Sequence, residues 1–232
     1  MFWQEDKNPD AVQIPDDIVD LLFALDCKSI PVDHAYFLST ALHAALPWLG
    51  SEPQLAVHTI HGAGSQNGWQ RPAHGSDTEL LLSRRTKLMI RTPKTRVAEL
   101  LQHLPGVTLD LAGHPLTVGA GKIKLLTKDA TLFARQVVIC DVTSDLIDES
   151  VFLQGVATQL AALDIVLRKA LCGKTMALAT PQGSIQTRSL LLAALTAEES
   201  IRLQQYGLGA HRLLGCGIFI PHKGIDPVNP GG

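Results

Sequence analysis

Short apolar runs alternate with stripes of helical period along this chain. Ile18 to Leu25 is a compact apolar run, the pattern of a buried strand. Pro31-Val32-Asp33 reads as a helix entry with Asp33 at the N-cap. From His34 to Leu49 the apolar positions Phe37, Leu38, Ala41, Leu42, Ala45 and Leu46 have helical spacing, and Pro47 bends or ends the helix. Ala56 to Ile60 is a short strand, followed by a Gly, Ser, Gln and Asn-rich loop from Gly62 to Ser76. Glu79 to Arg91 reads as strand pieces with Leu80, Leu82, Lys87, Met89 and Arg91 in alternation. Lys94 to His103 is a helix, and Val107 to Leu111 and Leu116 to Leu126 are further strands.

The second half starts the series again. Thr131 to Cys140 is a strand and Leu146 to Leu163 a helix. Strands follow at Ile165 to Leu171, Thr175 to Ala179 and Ser184 to Leu195. Thr196-Ala197-Glu198-Glu199 starts a helix that runs to Tyr206, and Gly217 to Pro221 is the last strand. At an offset of 115 residues Phe37-Leu38 falls on Phe152-Leu153 and Ala41 on Val156. The order β-α-β-β-α-β, met twice, predicts an α+β chain of two tandem ferredoxin-like units, the unit shared by RNA-recognition modules. Their expected bounds are residues 1–128 and 129–232.

Composition limits what such a chain can be. Its 232 residues are 46% hydrophobic and 18% charged, enough apolar surface for a packed core. The acidic start, Met1 to Asp10, is not a secretory signal, and no apolar run reaches the roughly 20 residues of a membrane span. Cys27, Cys140, Cys172 and Cys216 are scattered, which suits a reducing, cytoplasmic setting. The net charge of −2 argues against a polyanionic partner until it is divided along the chain. Residues 1–83 hold 3 Lys/Arg against 11 Asp/Glu, whereas residues 84–135 hold 10 against 3. A basic middle behind an acidic start suits a polyanionic partner, provided the basic residues share one face and the acidic start turns away.

The most informative stretch is Gly207-Leu208-Gly209-Ala210-His211-Arg212-Leu213-Leu214-Gly215-Cys216-Gly217. Its glycines allow positive φ and close backbone approach, so that its N–H groups could lie against phosphates. The dinucleotide fingerprint fails because Arg212 stands where its third glycine belongs. Gln204 to Gly209 matches the acyl-coenzyme A loop Gln-x-x-Gly-x-Gly, although here a helix precedes the loop and a strand follows it. The pattern Gly-h-Gly-x5-Gly-h-Gly between a last helix and a last strand resembles the hallmark of the RAMP proteins. Within them the chain resembles the CRISPR-associated repeat-processing endoribonucleases of the myxococcal-type branch. Pro31-Val32-Asp33-His34, Ser83-Arg84-Arg85-Thr86-Lys87-Leu88 and Leu203 to Lys223 carry that likeness. It implies two ferredoxin-like domains and metal-independent cleavage within the repeat of precursor CRISPR RNA. The implied partners are the repeat hairpin and other effector-complex subunits, with no membrane and no cofactor.

Cleavage without a metal uses the RNA 2′-hydroxyl as nucleophile and leaves a 2′,3′-cyclic phosphate and a 5′-hydroxyl. In the resembled family the base is usually a histidine on the first helix, near the glycine-rich loop. His34 and His43 both lie there, nine residues apart and so on opposite faces. His34 is the expected base: in the first turn the helix dipole keeps an imidazole neutral, partly offset by Asp33. His58 and His61 are the fallback positions. Tyr36 could donate to the phosphate but stands 200° around the helix from His34. Arg85 is the expected charge stabiliser. Arg84, Lys87, Gly207, Gly209, His211, Arg212, Gly215, Gly217, His222 and Lys223 are expected RNA contacts, and Lys122, Lys124 and Lys128 could extend the track. With three Trp, two Tyr and six Phe, recognition by backbone and shape is expected over base stacking. No His-Glu-x-x-His helix or Cys/His knuckle suggests a metal site. Two other readings stay open: a non-catalytic RNA-binding RAMP subunit, and an acyl-coenzyme A enzyme using Gln204 to Gly209.

Overall fold

The first apolar run forms β1 (Ile18–Asp26), the central strand of a five-stranded antiparallel sheet. A computed structural model describes residues 12–61, 78–139 and 148–222 of the chain. β2 (Ser29–Pro31) leads into α1 (Ala35–Ala45), and a 3-10 turn over Pro47–Ser51 carries the chain to β3 (Ala56–Val57). β4 (Glu79–Leu81) pairs with β2 in a small separate ladder. β5 (Lys87–Pro93), α2 (Lys94–His103), β6 (Thr108–Leu111) and β7 (His114–Lys124) complete the first half, with strand order β3-β5-β1-β7-β6. Alternation along β1 sends Val19, Leu21 and Phe23 to one face, where Leu38, Leu42 and Leu46 of the α1 side and Val97 and Leu100 of α2 cover them.

The second half repeats the plan. β8 (Leu132–Val137), α3 (Glu149–Ala162), β9 (Lys169–Thr180), β10 (Gly183–Ala193), α4 (Ala197–Tyr206) and β11 (Ile220–Pro221) form a sheet in the order β11-β8-β10-β9. Phe152, Val156 and Leu160 of α3 and Leu203 of α4 pack on Leu132, Ala134, Leu190 and Leu192.

A third, smaller apolar cluster sits where the halves meet: Ala35, Val138, Leu178 and Cys216, with Ile185 and Leu214 against it. Four small or medium side chains bury little area, and polar contacts supply much of the seam. Arg91 on β5 is fully buried. Its Nε and Nη2 donate to the two carboxylate oxygens of Asp20 on the neighbouring strand, at 2.8 and 3.0 Å. Its Nη1 donates to the carbonyls of Gln204 at 2.7 Å and Phe219 at 3.0 Å. One guanidinium thus ties the first sheet to the end of α4 and the approach to β11. Gln205 adds a bond from Nε2 to Asp17 at 2.9 Å.

Several local expectations need correction. The helix begins one position later than Asp33 implies, with His34 at the cap position. Arg84 and Arg85 lie in the exposed turn between β4 and β5 rather than on a strand, because Thr86 closes a turn onto Ser83 with a bond of 2.9 Å. The two strands expected within Ile165 to Ala179 are one, since β9 pairs with β10 from Lys169 to Thr180 across a register shift beside Gly173. At that shift a Cβ on Gly173 would stand 2.3 Å from Ser189 Oγ, so the glycine leaves room for the partner strand's side chain. The last strand shrinks to Ile220–Pro221, because Cys216 to Phe219 are taken up in the seam. The expected loop of Gly62 to Ser76 lies wholly outside the described residues.

Candidate functional site

α1 offers chemistry on only one of its faces. Tyr36, Ser39, Thr40 and His43 stand at i, i+3, i+4 and i+7, so they share one stripe. This stripe forms one wall of a cleft of about 610 Å³. The β9–β10 hairpin supplies a second wall through Gln182 of its turn and Gly183, Ser184 and Ile185 at the start of β10, and the glycine-rich segment a third through His211 and Leu214. Ile185 and Leu214 also pack on the seam cluster, so the cleft has an apolar floor between polar walls.

His43 Nδ1 lies 2.8 Å from the Ser39 carbonyl oxygen, one turn back. A carbonyl only accepts, so Nδ1 carries a proton, and in the neutral ring the lone pair falls on Nε2. Gly50 makes room for this ring: a Cβ there would stand 3.1 Å from Nε2.

His34 is placed differently. It is buried, with Nδ1 3.0 Å from the Pro31 carbonyl oxygen and 3.2 Å from that of Val32. Nε2 accepts from the Ile60 N–H at 2.9 Å. Both nitrogens are thus engaged in fastening the helix entry to the chain leaving β3. His34 lies off the cleft wall, on the other side of α1 from His43.

The glycine-rich segment is a knot rather than an open phosphate cradle. Gly207 caps α4, and the Leu208 N–H donates to the Gly217 carbonyl at 3.2 Å, closing the neck. Gly209 donates to Gln159 Oε1 at 2.7 Å, Ala210 to the Val138 carbonyl and Gly217 to the Gln136 carbonyl. The N–H groups of Gly207, Leu214, Gly215 and Cys216 also have backbone partners within the segment or on α4. Eight of the eleven amides are therefore already spent, which corrects the expectation that they face phosphate. The glycines serve close approach. A Cβ at Gly209 would sit 1.9 Å from the Val138 carbonyl oxygen, and one at Gly217 1.9 Å from that of Leu208. Gly215 lies against Thr59, so the knot also touches the first half.

Arg212, expected on RNA phosphate, is turned inward. Its Nη1 donates to the Tyr206 carbonyl and its Nη2 to that of Gln205 at 3.1 Å, so it caps the end of α4. Burial, and to a lesser degree the charge of Arg91, lower its pKa to about 10. The acyl-coenzyme A reading meets the same obstacle. Gln204 is buried, bonding Thr127 N–H at 3.2 Å and Thr127 carbonyl at 2.7 Å, and the amides after it are used.

Other expected residues are dispersed. Arg84 and Arg85 are exposed and Lys87 is half-buried, none of them lining the cleft. His222 packs at a tilt of 55° against Phe133, ring centroids 5.7 Å apart, and Lys223 lies outside the described residues. His58 is half-buried beside Asp20, with its buried Nε2 3.8 Å from the carboxylate. Among the described residues no three His, Cys, Asp or Glu side chains gather into a group that could hold a metal ion. No helix among them is long and apolar enough to cross a membrane. The cleft residues passed over in favour of His34 had one signal in the sequence. Tyr36, Ser39, Thr40 and His43 are the polar positions of an otherwise apolar helix, and they fall at helical spacing.

Comparisons with known proteins agree with one another. A family model described as Cas6 Crispr matches residues 19–224. The CRISPR-associated endonuclease Cas6 of Myxococcus xanthus is 32% identical over 203 residues, covering 88% of this chain and 81% of that protein. A solved CRISPR associated protein Cas6 superposes with a TM-score of 0.60 at 11% identity, over 89% of this chain and 100% of that one. A Cas6-related protein from Pyrococcus furiosus gives a TM-score of 0.58 at 15% identity, over 87% and 97%. Because the family match spans most of the chain and a curated relative exceeds 30% identity, the chain belongs to the Cas6 family of CRISPR-associated proteins.

Proposed function

We propose that this protein is an endoribonuclease that recognises the repeat hairpin of precursor CRISPR RNA and cuts it to guide length. The cut needs no metal ion: the 2′-hydroxyl attacks the adjacent phosphate, giving a 2′,3′-cyclic phosphate and a 5′-hydroxyl. The curated relative from Myxococcus xanthus is named an endonuclease, which supports the reaction class. The strand orders β3-β5-β1-β7 and β11-β8-β10-β9 support reading residues 1–128 and 129–232 as tandem ferredoxin-like domains, the first extended by β6.

The observation that carries the proposal is His43. Its tautomer leaves Nε2 basic, and it shares the cleft with Tyr36 and His211. We therefore place the general base at His43 rather than at His34, whose nitrogens are engaged in the fold. Tyr36 is assigned to the phosphate oxygens, on the same stripe of α1. Arg84, Arg85 and Lys87 are assigned to the RNA backbone away from the cut, and His222 with Lys223 to the far end of the track. The four glycines shape the loop that holds His211. The product stays bound, making the protein a subunit of the effector complex.

Labelled repeat RNA incubated with the protein in EDTA tests the reading. The wild type should cut at one position, and His43→Ala should slow cleavage about 10²-fold or more while binding persists. His34→Ala should lower only the folded fraction. Binding without any cleavage by the wild type would instead favour a non-catalytic RNA-binding subunit. Normal cutting by His43→Ala would remove the base assignment.

A further inference from the structure

In-line displacement at phosphorus puts the attacking and leaving oxygens on opposite sides of the phosphate. A base and an acid that serve it must therefore come from different walls of a cleft. The titratable residues lining this cleft are Tyr36, His43 and His211. Tyr36 shares a helix stripe with His43 and so stands on the same wall. His211 faces them from the glycine-rich knot.

The backbone at His211 points the same way. Between Gly207 and Gly217 the chain takes a positive φ at five positions. Four are glycine, and the fifth is His211, at φ 63° and ψ 39°. A side chain is retained at a conformation that glycine fills everywhere else in the knot. The knot therefore carries an imidazole on a left-handed residue. The conformation is also held in place: the His211 carbonyl accepts from the N–H groups of Leu214 at 2.9 Å and Cys216 at 3.2 Å. With eight of the eleven loop amides and the Arg212 guanidinium used internally, His211 is the titratable side chain that the knot contributes to the cleft lining.

We infer that His211 is the general acid, the group that protonates the 5′-oxygen as it leaves; the inference rests on reading the cleft as a ribonuclease site. The 2′-hydroxyl proton passes to His43 Nε2 as the bond from O2′ to phosphorus forms. The bond from phosphorus to O5′ breaks, and the imidazolium of His211 gives its proton to O5′. His43 ends protonated and His211 neutral, and exchange with water restores both.

Repeat RNA carrying a bridging 5′-sulfur at the scissile phosphate separates this role from phosphate binding, because a thiolate leaves without a proton. His211→Ala should cut ordinary RNA about 10²- to 10⁴-fold more slowly than wild type. On the sulfur substrate it should come within about tenfold of wild type, whereas His43→Ala should stay slow on both. His211→Asn, which accepts the left-handed backbone, should behave as His211→Ala and guards against loss of fold. Equal slowing of His211→Asn on both substrates, or wild-type rates on ordinary RNA, would overturn the assignment. A wild type that cuts neither substrate would instead defeat the ribonuclease reading itself.

Discussion

Gly209 and Gly106 share a positive φ, 75° and 87°, yet their surroundings differ. A Cβ at 106 meets nothing within 4 Å, whereas one at 209 meets the Val138 carbonyl oxygen at 1.9 Å. Left-handed backbone alone costs a non-glycine residue about 1–2 kcal/mol. Gly106→Ala should therefore lower the unfolding free energy in urea by about that amount. Gly209→Ala should lose at least twice as much, because the knot must also open; equal losses would show that packing adds nothing. The glycine spacing was legible as a pattern, and its purpose was not. Positive φ can be guessed from glycine, but which backbone presses against it depends on the Val138 strand end, some seventy residues away. The same holds for the histidines. A helical wheel separates His34 from His43, and only the position of the knot decides which face looks onto the cleft.

At the scale of elements, α4 shows what local sequence can specify. Thr196 accepts from the Glu199 N–H at 3.2 Å and Glu199 accepts from the Thr196 N–H at 2.8 Å, the reciprocal box its sequence suggests. Glu199 also accepts from the Val166 N–H at 3.0 Å and from Arg168 at 2.5 Å. Burial works against its charge, but these donors hold its pKa at about 2. Thr196→Ala should cost about 1 kcal/mol. Glu199→Ala should cost more, about 2–3 kcal/mol, because two N–H groups lose their acceptor as well. Thermal melts at neutral pH would order the two, and a smaller loss for Glu199→Ala would show that water replaces the carboxylate. Lys94 to His103 was predicted to the residue, as strong periodicity permits. The resemblance between halves was visible but one residue out of step. Leu38, Leu42 and Leu46 face the first core as Phe152, Val156 and Leu160 face the second, an offset one shorter than the sequence match. Matching residue types aligned Phe37 with Phe152, although Phe37 is exposed and Phe152 buried. Sequence identity followed the side chain, whereas the fold follows the face.

Across the whole molecule the charge gradient has a different meaning from the one its arithmetic suggests. Among the described residues, two carboxylates of the acidic first stretch are bound to the basic middle rather than turned away from it: Asp16 pairs with Lys94 and Asp20 with Arg91. Arg96 is held by Glu52 and Glu99 and lies 4.4 Å above the Trp48 ring. Three of the ten basic residues therefore serve the fold, leaving Arg84, Arg85, Lys122, Lys124 and Lys128 among those exposed to a partner. The Asp20–Arg91 pair also sets a pH response. His58 on the β3 side is half-buried against it, with Asp20 on β1, Arg91 on β5 and Arg212 in the knot as its charged neighbours. Burial lowers its pKa below the model-peptide 6.5, and the two arginines add to this while Asp20 opposes it. Because the folded value is the lower one, the unfolded chain binds the extra proton first as pH falls. Stability from this site is thus complete above 6.5 and is lost as pH drops through the folded value. Urea unfolding between pH 8 and pH 5 should show the wild type weakening on the acid side and His58→Gln weakening less. Parallel curves for the two proteins would mean that the seam tolerates a protonated His58, with Asp20 shared between it and Arg91.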